Sequence, residues 1–190
     1  MSRLRTGTPV PELCLPSLDG RPFDLKTLRG RRFLLSFHRF ASCPFCNLHI
    51  HRLVEAYPRF GPGFEVVAVF DSPLDNLRRH AGRHRAPFPI LADAENVHYR
   101  RFAVERSLAG TIRGWFLRLP ELLNAMFLKG YFPTSFQGAL TTMPLDILVA
   151  EDGTIAHLHY GRDEGDHLSI DQLIAFAHGD HRAQTATPSA

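Results

Sequence analysis

Two cysteines, Cys43 and Cys46, lie three positions apart with Pro44 and Phe45 between them. A thiol reacts as its thiolate, and the unpaired N–H groups and positive dipole end at the start of a helix favour that anion. The pair follows the apolar run Arg32–His38 and precedes a segment with helical spacing of apolar residues, which places it at such a start. Two thiols at this spacing can also close as a reversible disulfide. We therefore predict a redox-active pair.

A metal site is the main alternative for these cysteines. Cys43, Cys46 and His49 recur every three residues, as ligands on one face of a helix would. A structural zinc site usually takes four ligands from two separate segments, and Cys14 lies in an apolar segment where we expect a small core residue. We favour redox chemistry and predict neither a metal nor a cofactor. Zinc binding and a non-enzymatic redox sensor stay open as alternatives.

The composition is that of an ordinary globular protein. The chain has 190 residues, 44% hydrophobic and 22% charged, which suits one domain with a buried core. Its charge of +3 comes from basic residues dispersed among acids, whereas a nucleic-acid binder usually carries a basic stripe. The first ten residues contain no apolar leader, and no run reaches the roughly 18 apolar residues that a membrane span needs. We expect a cytoplasmic protein with no membrane span and no nucleic-acid partner.

Short apolar runs alternate with segments of helical periodicity along the chain, which predicts an α/β fold with a central mixed sheet flanked by helices. The predicted strands are 12–18, Arg32–His38, Phe64–Phe70, 88–91, 145–150 and 154–160. The predicted helices are 44–57, 73–83, 94–102 and 169–177. The last two strands flank Asp152-Gly153 and form a β-hairpin.

The region from about 105 to 140 is an apolar stripe at helical spacing, which predicts two amphipathic helices joined near Pro120. We expect this helical pair to be an insertion that packs within the domain or across a homodimer interface, with a substrate-groove cover or a membrane surface as alternatives. One domain then spans 1–178, and 179–190 form a flexible tail. The loop that carries Asp163, Glu164, Asp166 and His167 is expected to be a solvated loop with a helix cap, with partner binding as the alternative.

Four sequence patterns together carry a resemblance to a known family. They are Gly20-x-x-Phe23-x-Leu25, Cys43-Pro44-Phe45-Cys46, Ile90-Leu91-Ala92-Asp93 and Leu148-Val149-Ala150-Glu151-Asp152-Gly153. The order of elements resembles the thioredoxin-like fold. Residues 7–178 more closely resemble the peroxiredoxin-like branch of the alkyl hydroperoxide reductase and thiol-specific antioxidant family.

Two departures from that family bear on the reaction. Typical peroxiredoxins place Thr or Ser three residues before the peroxide-attacking cysteine, and this chain has Phe40 there. Typical peroxiredoxins also supply an Arg at the start of the strand leading into the hairpin, where this chain has Pro144. Thioredoxins hold a cis-proline at that second place. Compared with the resembled family, these two departures favour disulfide exchange over peroxide capture.

The resemblance also implies roles for individual residues. Cys43 would be a partly exposed attacking thiolate, and Cys46 the less exposed resolving thiol. Pro44, Phe45, Met143 and Pro144 would form the substrate-binding surface, with the Met143–Pro144 peptide in the cis form.

Two residues beside the motif leave questions open. Arg39 would support the thiolate, with an ordinary strand-end residue as the alternative. His38, His49 and His51 would be ordinary strand-end and helix-surface residues. Phe37 stands where thioredoxins carry a buried Asp, so the sequence leaves the proton acceptor for Cys46 unidentified.

The implied function is a peroxiredoxin-like thiol–disulfide oxidoreductase with an antioxidant role. Its substrates would be protein or small-molecule disulfides, or hydroperoxides, and its reductant a thiol donor such as thioredoxin or glutathione. The alternative is a thiol peroxidase in which Cys43 becomes a sulfenic acid that Cys46 resolves.

Overall fold

A five-stranded mixed sheet forms the centre of the molecule, in the order β5–β4–β3–β6–β7. The computed structural model describes residues 3–133 and 138–180. The strands are β1 (Cys14–Pro16), β2 (Pro22–Asp24), β3 (Arg32–His38), β4 (Phe64–Phe70), β5 (Ile90–Ala92), β6 (Leu145–Val149) and β7 (Ile155–Tyr160). The helices are α1 (Pro44–Phe60), α2 (Leu74–Ala81), α3 (Val97–Arg101), α4 (Leu108–Leu117), α5 (Leu119–Leu123) and α6 (Ile170–Ala177). Short 3₁₀ turns span Leu25–Leu28 and Gly82–His84, and a π-helical turn spans Asn124–Leu128.

Strand β3 is central and pairs on both sides. It runs parallel to β4 and antiparallel to β6, while β5 is parallel to β4 and β7 antiparallel to β6. Successive side chains of a strand point to opposite faces, and β3 accordingly sends Leu34 into one core and Phe33, Leu35 and Phe37 into the other. The predicted mixed α/β architecture is confirmed. Cys43 and Cys46 follow this central strand and lie in the same buried core as Leu34.

The element boundaries differ from the predicted ones in a few places. Helix α1 continues through Pro58 to Phe60, because a proline near a helix end costs only one backbone hydrogen bond in the last turns. The first predicted strand is reduced to the three residues of β1. Cys14 in β1 is exposed, so the expectation that it is a core residue is wrong: the strand alternates, and Leu15 is the one that points inward.

The insertion between β5 and β6 contains α4, α5 and the π-helical turn. Much of its apolar stripe faces outward, with Leu108 at 71%, Phe116 at 81% and Leu128 at 79% exposure. Packing of these side chains within the domain is therefore a wrong expectation, and packing across a homodimer interface stays a prediction.

The chain ends as predicted up to the last described residue. Strands β6 and β7 form the hairpin, and Ser169 caps α6 by accepting a hydrogen bond from the backbone N–H of Gln172, while the Gln172 side-chain oxygen accepts one from the backbone N–H of Ser169. The predicted tail falls almost entirely at 181–190, outside the described residues. Within the described ranges, no helix is long and apolar enough to cross a membrane.

Candidate redox site

Both cysteines of the motif lie at the start of α1. Cys43 is the N-cap residue and Pro44 opens the first turn, where its missing N–H is no loss. Cys43 is 0% exposed and Cys46 1%, and neither is in a disulfide. The expectation of a partly exposed Cys43 is therefore wrong. Residues 138–142 contact Arg39 and Asp71 beside the helix start, a long-range contact that the local motif does not reveal.

The two sulfurs are hydrogen-bonded to each other and to Arg39. The hydrogen bond between the two side chains favours the thiolate on Cys43 and the thiol on Cys46. The backbone N–H of Arg39 donates to Cys46 Sγ at 3.4 Å, and Arg39 Nη1 lies 3.9 Å from Cys43 Sγ. One arginine thus touches both thiols, the first through its guanidinium and the second through its backbone.

These contacts separate the two thiols chemically. Burial alone would raise the pKa of Cys43, but the hydrogen bond from Cys46, the positive charge of Arg39 and the N–H groups of Cys46 and Phe45 lower it to about 6. The pKa of Cys46 is raised well above its usual value by burial and by the neighbouring Cys43 thiolate. Near neutral pH the arrangement therefore favours a thiolate on Cys43 and a thiol on Cys46.

Arg39 is held by a buried carboxylate, Glu164. Arg39 Nη1 donates to Glu164 Oε1 at 2.5 Å, and Trp115 Nε1 donates to the same oxygen at 3.2 Å. Glu164 Oε2 is buried without a hydrogen-bond partner among the described residues. Burial, together with the charge of the Cys43 thiolate, raises the pKa of Glu164 to about 7 against the opposing effect of Arg39. The site therefore contains a second group that titrates near neutrality.

Two covering segments close the site. Arg39 Nη2 donates to the carbonyl of Leu140, and Asp71, just after β4, accepts from the backbone of Ala139 and from Thr142 at 2.9 and 3.3 Å. Helix α4 supplies the second cover. It approaches so closely that a Cβ on Gly114 would lie 3.2 Å from Glu164 Oε2.

Met143 and Pro144 precede β6, beneath the covering segments. A Cβ on Gly110 of α4 would lie 2.6 Å from Met143 Sδ, and the Pro144 carbonyl accepts from the Gly161 N–H at 2.9 Å. No peptide bond of the described chain is cis, so the expected cis Met143–Pro144 bond is wrong. Proline lowers the cost of the cis form but leaves trans the ordinary state, with cis in only about 5–6% of such bonds.

Glu164 is the site residue that the sequence did not identify. The acidic loop was expected to be solvated, yet Glu164 is fully buried and Asp163 nearly so, paired with Arg118 at 2.5 Å. That expectation is wrong for these two residues. Acidic residues in an arginine-rich chain suggest that ion pairs form, but they do not identify the partners. Only the tertiary fold shows that Arg39 is the partner of Glu164.

The histidines near the motif are also more buried than expected. His49 is 6% exposed, so the expectation that it is a helix-surface residue is wrong, whereas His38 is the last residue of β3, as expected of a strand-end residue, and is 0% exposed. His49 does not cluster with the cysteines as a metal-ligand set. It lies instead with Asp146 and His167, one ligand atom of each being within 4.8 Å of the others.

Comparison with known proteins places this thiol pair in a family. Residues 6–157 match the model of the AhpC/TSA family. The chain belongs to the AhpC/TSA family. Two curated relatives are chloroplastic peroxiredoxin Q from Sedum lineare, 25% identical over 60% of this chain and 61% of the relative, and from Populus jackii, 25% identical over 60% of this chain and 54% of the relative. The chain thus spans little more than half the length of these relatives.

Two solved structures with a similar fold are named as a peroxidoxin and as a thiol:disulfide interchange protein. Peroxidoxin BcpB from Mycobacterium tuberculosis superposes with a TM-score of 0.62 at 18% identity, over 95% of this chain and 98% of that one. A thiol:disulfide interchange protein of the thioredoxin family from Chlorobium tepidum gives 0.54 at 20% identity, over 94% and 100%. These likenesses show a thioredoxin-like fold.

Proposed function

We propose that this protein is a thiol–disulfide oxidoreductase that cycles Cys43 and Cys46 between dithiol and disulfide. The observation that carries the proposal is the asymmetry of the pair. Cys43 caps α1 and accepts a hydrogen bond from Cys46, with a guanidinium 3.9 Å away, whereas burial keeps Cys46 protonated. Cys43 Sγ is thus prepared to attack a substrate disulfide, while Cys46 stays protonated until the second step.

In the first step the Cys43 thiolate attacks one sulfur of a substrate disulfide. A Cys43–substrate disulfide forms, the substrate S–S bond breaks, and the departing substrate thiolate takes a proton. In the second step Cys46, as thiolate, attacks Cys43 Sγ, the mixed disulfide breaks, and the second substrate thiolate leaves and is protonated. Two electrons pass to the substrate, and the protein is left with a Cys43–Cys46 disulfide that an external thiol reductant must reduce.

The electrostatics order these two steps. While Cys43 is a thiolate, its charge raises the pKa of Cys46 and so holds the second thiol in its unreactive form. Once Cys43 is bonded to substrate that charge is gone, and Cys46 ionises more readily. The same loss of charge removes one of the causes that raise the pKa of Glu164. We therefore expect the resolving thiol to be activated by the first step.

A thiol peroxidase is the second candidate, and one feature of the site favours it. Typical peroxiredoxins place an arginine beside the attacking sulfur from the strand before the hairpin, and here Arg39 at the end of β3 brings a guanidinium to Cys43 from a different element. The Cys43 thiolate would attack a hydroperoxide and become the sulfenic acid, releasing an alcohol or water. Cys46 would then displace water from that sulfenic acid to form the disulfide. Phe40, which cannot hydrogen-bond a peroxide, counts against this reaction.

Parallel turnover measurements on the full chain separate the two reactions. We expect reduction of a protein disulfide, such as that of insulin, with a thioredoxin or glutathione system as reductant to exceed consumption of hydrogen peroxide and an alkyl hydroperoxide. Fast peroxide consumption with no disulfide reduction would establish the peroxidase instead. A single stoichiometric oxidation with turnover of neither substrate would indicate a redox sensor.

The cellular setting follows from the same chemistry. A pair that must be reduced after each cycle requires a compartment with a thiol reductant, and we propose the cytoplasm. Fractionation of the producing cells with an antibody to the protein tests this location.

A further inference from the structure

A second cluster of chemically capable side chains lies one helical turn beyond Cys46. His49 on α1, Asp146 on β6 and His167 in the loop before α6 each offer one ligand atom within 4.8 Å of the other two. The side chains of Asp146 and His167 are 1% and 3% exposed, and His49 is 6% exposed. Three elements far apart in sequence therefore converge on one buried, polar point.

The ring nitrogens at this point are not fully used. The Nε2 atoms of His49 and His167 are buried with no hydrogen-bond partner among the described residues, and so is Nδ1 of the adjacent His38. Burying an unpaired polar nitrogen costs free energy, and a native core usually avoids it. Three such atoms on neighbouring rings are therefore available to bind a ligand.

The carboxylate between them is strongly anchored. Asp146 accepts hydrogen bonds from Ser36 Oγ at 2.6 Å, from the backbone N–H of Leu168 at 2.8 Å and from His167 Nδ1 at 3.1 Å. Hydrogen bonds of this kind orient the carboxylates and imidazoles that bind metals in proteins. Three separate donors thus hold the Asp146 carboxylate in place.

Two imidazoles and one carboxylate are a set that first-row divalent metals take, and zinc sites with three protein ligands leave a fourth position for water.

We propose that His49, Asp146 and His167 bind a divalent transition metal ion, with zinc as the representative, at a site separate from the redox cysteines. The His49 and His167 rings are stacked, 3.8 Å apart and 7° from parallel, so their lone pairs do not meet at one point as they stand. Tetrahedral zinc with bonds of about 2.0–2.2 Å places its ligand atoms about 3.3 Å apart. Capture of the ion would therefore turn one imidazole out of the stack, replace the hydrogen bond between His167 Nδ1 and Asp146 with bonds to the ion, and draw the ligand atoms together.

The bound ion would join α1 to β6 and to the loop that carries Glu164. Because the cysteines are not among the ligands, the proposal does not depend on the reaction that Cys43 and Cys46 perform. It also differs from a Cys43, Cys46 and His49 site, which would bind the metal through thiolates.

Metal binding to the full chain with both redox cysteines replaced by serine is the direct test. We expect the metal-free Cys43→Ser, Cys46→Ser protein to bind one equivalent of Zn²⁺ by calorimetry, and Co²⁺ in its place to give visible absorption without the near-ultraviolet thiolate charge-transfer band. Adding His49→Gln or His167→Gln should weaken binding at least tenfold. His51→Gln, on the same helix but outside the cluster and with its side chain 26% exposed, is the matched control and should leave the affinity unchanged.

Two results would overturn the site. One is the absence of saturable Zn²⁺ binding at micromolar concentration by both the parent and the double cysteine variant. The other is binding that the parent shows, with a thiolate charge-transfer band, and the double variant loses. If the histidine variants do not fold, the thermal midpoint of the double cysteine variant decides, because a ligand that binds the native state raises it with concentration. A Zn²⁺-independent midpoint contradicts the proposal.

Discussion

Arg39 and Glu164 form a buried ion pair, Nη1 to Oε1 at 2.5 Å, across 125 positions of sequence. The same guanidinium lies 3.9 Å from Cys43 Sγ, so two groups of negative charge share one cation. Burial, together with the charge of the Cys43 thiolate, raises the pKa of Glu164 to about 7 although an arginine touches it. This coupling underlies the predictions on the thiol pair.

Single replacement of the two cysteines should have different effects on the reaction. Cys43→Ser removes the attacking sulfur, and we expect turnover of any disulfide or peroxide substrate to fall to background. Cys46→Ser keeps the attack but not the release, so it should accumulate a mixed disulfide visible by non-reducing electrophoresis and mass spectrometry. The exposed Cys14→Ser variant is the control and should retain full activity. A mixed disulfide formed through Cys46 in the Cys43→Ser protein would reverse the assigned roles.

Replacing Arg39 should raise the pKa of the Cys43 thiol. The rate of alkylation by iodoacetamide follows the thiolate, and in the parent protein its midpoint is expected at about pH 6. Arg39→Gln removes a charge that lowers the pKa, so we expect the midpoint to move upward by about one to three pH units. Arg39→Lys should recover part of this shift, whereas Arg52→Gln on the exposed face of α1 should not move it. An unshifted midpoint in Arg39→Gln would contradict the role of the guanidinium.

Trp115, the single tryptophan of the chain, should report the ionisation of Glu164. Its indole N–H donates to the carboxyl group, so fluorescence should change with a midpoint at about pH 7. Glu164→Gln should abolish that transition. A midpoint that persists in Glu164→Gln would mean that another group is sensed.

Glu164 should also leave a mark on the pH dependence of stability. Its folded pKa, about 7, is above its ordinary value of 4.5, so the folded state holds the proton more tightly than the unfolded state. The resulting stabilisation is complete below about pH 4.5 and is lost as the pH rises through 7. We expect the free energy of unfolding of Glu164→Gln, from urea titrations at each pH, to fall less than that of the parent over this range. Equal slopes would argue against a raised pKa.

The close packing of α4 on the site should make its glycines sensitive. Gly110→Ala would put a Cβ 2.6 Å from Met143 Sδ and 2.9 Å from the Arg162 carbonyl, so α4 must shift. We expect a lower thermal midpoint and faster alkylation of Cys43 as the cover loosens. Gly82→Ala is the matched control, because a Cβ there meets nothing within 4 Å. Unchanged thiol protection in Gly110→Ala would show that α4 does not close the site.

Much of the fold could be read from local patterns. The predicted bounds of β3 and β4 are those of the strands, because a central strand buried on both faces is mostly apolar, with Ser36 and His38 as buried polar exceptions in β3. The start of α1 followed from Pro44 and the turn before it, and the start of α6 from Ser169. Strand β5 begins two residues and ends one residue later than predicted, since its ends depend on pairing with β4 rather than on its own residues.

The candidate site divides along the same line. The sequence by itself determined that this protein has two thiols at a helix start after a central strand, because helix capping and strand burial act over a few neighbouring residues. Only the tertiary structure decided that Cys43 is covered, that Arg39 is paired with Glu164, and that His49 meets Asp146 and His167. Those contacts join segments separated by up to 125 positions, and burial and electrostatic pairing depend on distance in space, which local sequence patterns do not encode.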